Sequence, residues 1–534
     1  MHSVCVCTNQ TDKGNGMAKD RLGLRMSRRR FTAAALGTAA TLSLGLGRVV
    51  HAQEAGTVRI RIASDIGNLD PARIFQIENQ SVATHLYSGL VKYDEASNKI
   101  VPDLATGWEV TDGGKVYTFA LRTGVKWHKD FGVLSADDVK FSFERVLDPK
   151  TGSSYAGQFA SVASIEAPAP DKVVITLKAP NSGFLHKVSA FNQGWIVSRR
   201  AVTEIGEEKY RLNPIGTGPF VFDRWTPGQE IRLTANADYF GGAPKVQAVV
   251  FRLIRDETAS AIALENGEID IFFGLQQPEV ITRLSASKGV TVMNRPANHT
   301  INLVLNTEMK PLADVRVRQA LMHAINRDAL IKGFFKGTKG EAFNVLTSSF
   351  PEYTDDVPRY PYDPARARAL LKDAGQTSFS LDLVTPAANP YDKIIVAIAS
   401  DLAAVGVTAN IKVLERGTYL QARNKGNIPT AITGVVGAPD PDSPILSLFA
   451  RSSFPPGLNT SHYAAIEDLI AQAAAAPDDA GRKTAYAAIL KKTMTDVPVI
   501  PLYADNLYMA HTAKVKGLVQ NSLFTVNAYP VSLG

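Results

Sequence analysis

The sequence predicts an α/β protein built as two or three lobes. Three observations carry this. Some 480 residues follow an N-terminal leader, too many for one hydrophobic core. Strand-like and helix-like stretches alternate along the chain. One segment, Phe379 to Glu415, reads strand, helix, strand in succession, the pattern of a βαβ unit with parallel strands.

The elements can be taken in order. "VRIRIA", Val58 to Ala63, alternates like a half-buried strand. "KVYTFALR" does the same, with Tyr117, Phe119 and Leu121 on one face. "SADDVKFSFERVLD" reads as a helix capped by Ser135, with Asp138 completing a capping box and Val139, Phe143, Val146 and Leu147 at helical spacing. "DVRVRQALMHAINRDALI" places Val317, Leu321, Ala324 and Ile325 on one stripe. "DPARARALLKDAG" has Asp363 as cap, Pro364 in the first turn and Gly375 as stop. In the βαβ segment, "FSLDLVTP" and "TANIKVLE" flank the helix "YDKIIVAIASDLAAVG". "TAITGVV", Thr430 to Val436, is the next strand, and "GAPDPDSP" follows at its carboxyl end, where open α/β sheets bind ligands. No low-complexity linker or short repeat interrupts the chain, so the lobes are expected to join by short crossovers.

The leader reads as an export signal. Arg28 to Arg30 precede an apolar run from Phe31 to Leu46, and Val50-His51-Ala52 offers a small-x-small cleavage site before Gln53. "SRRRF" fits the twin-arginine pattern, ahead of an ordinary Sec signal. Residues 1–25 read as an upstream extension. Cleavage after Ala52 removes both cysteines, Cys5 and Cys7. The mature chain then has no disulfide, thiol nucleophile, cysteine metal site or lipid-anchoring cysteine, and a periplasmic location is expected. It also loses eight basic and two acidic residues, leaving 50 basic against 49 acidic from the 58 and 51 of the whole chain. Near-neutrality gives no electrostatic case for a nucleic-acid or membrane-surface partner.

The seven histidines after the leader show no metal-ligand spacing. Ser285 and Lys288 match Ser-x-x-Lys, but no SDN or KTG partner appears, so a periplasmic serine hydrolase is the weaker alternative. HExxH, P-loop and GxSxG motifs are absent.

Several long blocks resemble the extracellular solute-binding proteins of family 5, the periplasmic peptide- and nickel-type receptors of ABC importers. They are "NLDPARIFQIENQSVATHLYSGLVKYD", "PDLATGWEVTDGGKVYTFALRTGVKWHKDFGVLSADDVKFSFERVLDP", "NPIGTGPFVFDRWTPGQEIRLTANADYFGGAPKVQAVVFRLIRDETASAIALENGEIDI", "LNTEMKPLADVRVRQALMHAINRDALI" and "DVPVIPLY". The resemblance implies a type II, cluster C-like periplasmic binding protein with three lobes. Lobe I would comprise 53–84, 214–297 and 506–534, lobe II the insertion 85–213, and lobe III 298–505. Lobes I and III would close on a solute by a hinge and present it to a membrane permease, without chemistry or cofactor, as a monomer. A nickel-chelate receptor of the same fold is an alternative.

The resemblance also points to site residues. Phe75 and Gln76 lie in an N-terminal loop that lines the cleft, and Tyr155 resembles a ligand-facing tyrosine of lobe II. Peptide-binding members carry, in the loop before Asp-Pro-Asp, an aspartate for the peptide amine. Alignment on Asp440-Pro441-Asp442 places Gly437, beside Val436, at that position and Gly434 in place of a tryptophan. Asn389 stands where dipeptide binders carry an arginine for the carboxylate. Burying an unpaired charged end costs several kcal/mol, so a free dipeptide is not the expected ligand. For Asp440, ligand contact and structural capping both stay open. Asp442 reads first as a helix cap.

Overall fold

One eight-stranded mixed sheet organises the chain, seen in a computed structural model that describes residues 56–74, 76–388, 390–435 and 439–534. The expected leader lies outside the described residues. The strand order is Thr430–Gly434, Val290–Leu305, Val499–Thr512, Ile271–Leu275, Thr57–Ile62, Ala248–Leu253, Glu230–Ala235 and Phe220–Thr226. Thr57–Ile62 runs parallel to both its neighbours, Ala248–Leu253 and Ile271–Leu275. A parallel centre buries both faces, and Val58, Ile60, Arg61 and Ile62 are all buried. The half-buried strand expected from "VRIRIA" is thus corrected. Arg61 tolerates burial because its guanidinium reaches four carbonyl oxygens: Ile254 (2.8 Å), Phe273 (3.0 Å), Arg255 (3.0 Å) and Gly274 (3.4 Å).

Two long strands carry the chain out of this sheet and back. Val290–Leu305 and Val499–Thr512 pair antiparallel, with register breaks between Pro296 and Thr300 and between Ile301 and Asn302. Such breaks bend and loosen a ladder locally. Beyond them, a separate hydrophobic core lies wholly within residues 301–503. The βαβ unit belongs to this part: Phe379–Pro386 and Val407–Leu414 pair in parallel around the helix Tyr391–Ala403. Thr430–Gly434 pairs instead with Val290–Leu305, antiparallel. Hydrogen bonds tie it to the βαβ unit at Thr430, whose Oγ1 accepts the Val384 N–H (3.1 Å) and donates to the Asp382 carbonyl (2.8 Å).

Within residues 85–213 a four-stranded antiparallel sheet forms, in the order Ala105–Thr111, Val116–Leu121, Lys172–Leu177 and Val162–Ala169. Tyr117, Phe119 and Leu121 point inward as their spacing predicts. The helix Ala136–Leu147 covers this sheet, and the Asp138 carboxylate reaches back to the Ser135 N–H (3.0 Å). Its core is continuous with that of the parallel strands. Three histidines sit in these cores in neutral form. Burial lowers His85, His128 and His186 each to about 4. His85 donates from Nδ1 to the Ser81 carbonyl (2.7 Å) and accepts the Ala528 N–H at Nε2 (2.9 Å), which ties the C-terminal segment to the helix Ile77–Leu86.

Candidate functional site

The carboxyl ends of Thr57–Ile62 and Ile271–Leu275 open onto a cavity of about 170 Å³. This is where the parallel strands of an α/β sheet leave a crevice for ligands. The near wall comes from Arg61, Ala63, Phe273, Gly274, Leu275 and Gln276, and from Ile77 and Glu78 in the first turn of the helix Ile77–Leu86. Lys339 and Asp505, which lie beyond or at the register break, face it, and Asn506, Tyr508 and Met509 line the cavity from the strand that pairs with Ile271–Leu275. Phe524 and its neighbours on the C-terminal segment close one end. Apolar walls with a few fixed polar groups are what a small-solute site needs.

The charges are unevenly partnered. Asp505 sits at the register break and accepts from His299 Nδ1 (2.6 Å) and Lys339 Nζ (2.8 Å). Burial alone would raise its carboxyl, but His299 and Lys339 hold it below the ordinary value. His299 bonds Asp505 through Nδ1, and its Nε2 lies toward Gly434. Gly434 leaves the room that the ring occupies. A Cβ there would lie 2.3 Å from His299 Nε2 and 2.7 Å from Ile301 Cδ1. The empty side-chain position at 434 and the imidazole at 299 are therefore one arrangement.

The loop after Thr430–Gly434 ends in a buried ion cluster. Asp440 is only 2 % exposed. Its carboxylate pairs with Lys187 (2.9 Å) and Arg482 (3.1 Å), and its Oδ1 also accepts the Asp442 N–H (3.1 Å). Arg482 further donates to Glu352 (3.0 Å) and Ser182 (2.8 Å) and lies 3.6 Å from Asp442. Burial pushes Asp440 upward, but Lys187, His186 and Arg482 outweigh it and hold the carboxyl well below its usual range. Asp442 and Glu352 are raised, chiefly by burial. Lys187 and Ser182 belong to residues 85–213, and Asp440, Glu352 and Arg482 to 298–505. The cluster thus bridges these two segments, as does the Asn98 amide donating to the Ser349 carbonyl (2.6 Å).

The expected cap at Asp442 is not made. The helix Asp442–Phe449 starts after Pro441 with no side-chain cap. The Asp442 carboxylate turns instead to the Tyr486 hydroxyl and Arg482. Tertiary charge overrides the local preference.

Of the other expected ligand-facing residues, Gln76 is exposed at the N-cap of Ile77–Leu86, next to the cavity-lining Ile77. Tyr155 does not stand free. Its hydroxyl donates to the Ile74 carbonyl (2.5 Å) and so fixes the backbone leading into that helix. Burial raises this phenol to about 12. Phe75, Asn389, Val436 and Gly437 lie outside the described residues. Asp505, Lys339 and Glu78 were not singled out in the sequence. Asp505 had a signal, a charge interrupting the apolar run of "VPVIPLYADNLYMA"; Lys339 had none. Ser285, the alternative nucleophile, donates its hydroxyl to the Ile281 carbonyl of its own helix (2.8 Å). Among the described residues no group of three His, Cys, Asp or Glu is placed to hold a metal ion.

Comparison with known proteins agrees with this architecture. Residues 99–455 match the model of "Bacterial extracellular solute-binding proteins, family 5 Middle". The dipeptide-binding protein of Escherichia coli K12 is 34% identical over 468 residues, covering 82% of this chain and 87% of its own. The structure of HbpA2 from Haemophilus parasuis superposes with a TM-score of 0.84 at 27% identity, over 90% of this chain and 100% of that one. The periplasmic binding protein DppA from Helicobacter pylori, solved with the peptide STSA, gives 0.73 at 30% identity, over 90% and 98%. A match over most of the chain, in a fold whose parallel strand ends open on a shared cavity, makes this chain a member of the bacterial extracellular solute-binding proteins of family 5.

Proposed function

We propose that the protein is an exported receptor that captures a small organic solute between lobes I and III and delivers it to an ABC-transporter permease. The observation that carries this is the position of the cavity. Most of the lining is built around the ends of the central parallel strands, and Lys339 and Asp505 enter it from the segment reached through two long strands. A rotation at the register breaks near Pro296–Thr300 opens or closes such a cleft without disturbing either core. The two main lobes meet there, residues 85–213 form the inserted lobe, and the mature chain starts after Ala52. No step of chemistry is assigned, and Ser285 is spent on its own helix. No described helix is long and apolar enough to cross a membrane.

Several relatives are named for peptides, so the ligand is peptide-like or another small polar molecule such as an opine. Gly437 and Asn389 support a solute other than a free dipeptide. A thermal-shift screen of residues 53–534 tests this, with dipeptides and tripeptides set against opines, oligosaccharides, glutathione and nickel chelates. A ligand at a hundred times its Kd adds about 2.7 kcal/mol of stability. The expected result is a shift with one solute class. A shift with ordinary dipeptides would sink the argument from Gly437 and Asn389.

A further inference from the structure

Four charged side chains line the cavity: Arg61, Glu78, Lys339 and Asp505. Three are accounted for. Asp505 is held by His299 and Lys339. The Arg61 guanidinium directs four hydrogen bonds to the carbonyl oxygens of Ile254, Arg255, Phe273 and Gly274. Lys339 makes one ion pair, to Asp505 at 2.8 Å, and an ammonium has three N–H donors. Glu78 has neither a hydrogen bond nor an ion pair among the described residues, although it is only partly exposed and stands in the first turn of a ten-residue helix. Arg61 is near enough to feel its charge but directs its hydrogen bonds to backbone carbonyls.

A carboxylate left without donors becomes costly once the cleft shuts and water leaves. The occupant must bring it N–H or O–H donors, and a charged donor gives the stronger bond. The four wall charges already sum to zero. An occupant that adds a cation at Glu78 keeps the closed site neutral only if it also carries an anion, and Lys339 on the opposite wall has donors to receive one. We propose that Glu78 is the specificity-determining residue that anchors the ammonium group of a small zwitterionic solute, whose anionic group faces Lys339. This rests on the receptor reading above and adds to it the residues that read the ligand's charge.

The test uses the chain 53–534 stripped of carried-over ligand by unfolding and refolding, and isothermal titration. The probes are Ala-Ala-Ala, its N-acetyl and C-amide forms, glutathione, an N-(1-carboxyethyl) amino acid and a neutral trisaccharide. Wild type, Glu78→Gln and Lys339→Met are compared, with circular dichroism to confirm folding. At least one probe with both a free amine and a free carboxylate is expected to bind. Glu78→Gln should weaken that probe roughly tenfold or more, the span of a lost charge-assisted hydrogen bond. Lys339→Met should weaken it comparably and reduce discrimination against a C-amide. Equal affinity in wild type and Glu78→Gln would overturn the assignment and leave the receptor reading standing. So would binding confined to the trisaccharide. Silence from every probe would count against the receptor reading, and the assignment would fall with it.

Discussion

Arg482→Met is expected to lower the unfolding free energy by about 3–5 kcal/mol, the cost of removing one partner from a buried charge group. Arg482 is the cation on which Asp440, Asp442 and Glu352 converge, and all four side chains are largely buried. Lys187 remains for Asp440 alone. The loss should depend on pH, and its sign follows from the shifts. Asp440 is depressed, so its contribution is present above the ordinary carboxylate range and is lost only in strong acid. Asp442 and Glu352 are raised chiefly by burial even with Arg482 present. Without it they rise further, and protonating them relieves the variant. Urea titrations at pH 7 and pH 5 should therefore show a smaller gap to wild type at pH 5. A gap that widens toward acid would contradict this account of the cluster.

Gly216→Ala should cost about 2–4 kcal/mol, from overpacking and lost hydrogen bonds. A Cβ at 216 would lie 1.9 Å from the Leu86 carbonyl oxygen. Neither side can retreat cheaply. The Leu86 oxygen accepts the Gly218 N–H (2.9 Å), and Gly216 is clamped to His128, donating to its Nδ1 (3.3 Å) and accepting its backbone N–H (2.9 Å). Gly157→Ala, where nothing lies within 4 Å of the new Cβ, is the matched control and should change stability by less than about 0.5 kcal/mol. The comparison is read from the denaturation midpoints of the two variants. It also probes the join between residues 85–213 and the parallel strands, because "NPIGTGPF" is where the chain returns from one to the other.

Local signals were legible wherever local physics decides. The Asp363 cap accepts the Arg366 N–H (2.9 Å) and Gly375 takes a φ of +68°, so the helix Pro364–Asp373 starts and stops where its residues say. The stripe Val317, Leu321, Ala324 and Ile325 is buried as its spacing requires. Long-range chemistry was not legible. Arg61 reads as the polar face of a strand until the carbonyl ends of two neighbouring strands are brought to it. Asp442 has a cap's surroundings, but Tyr486 and Arg482 claim its carboxylate from a helix forty residues away. The strand expected over "TAITGVV" forms over Thr430–Gly434, yet nothing local reveals its pairing with Val290–Leu305. The cavity was hidden for the same reason. Glu78, Lys339 and Asp505 are more than 150 residues apart in sequence, and folding alone makes them neighbours. The family resemblance supplied the lobes and pointed to the loops, while the charges that face the cavity had to come from the structure.

A receptor of this kind captures its solute without chemistry, in a single cleft. Native mass spectrometry of residues 53–534 with the stabilising solute tests it most directly. The prediction is one solute per chain, released at its original mass after prolonged incubation. A solute recovered as a cleaved or otherwise altered product would contradict it.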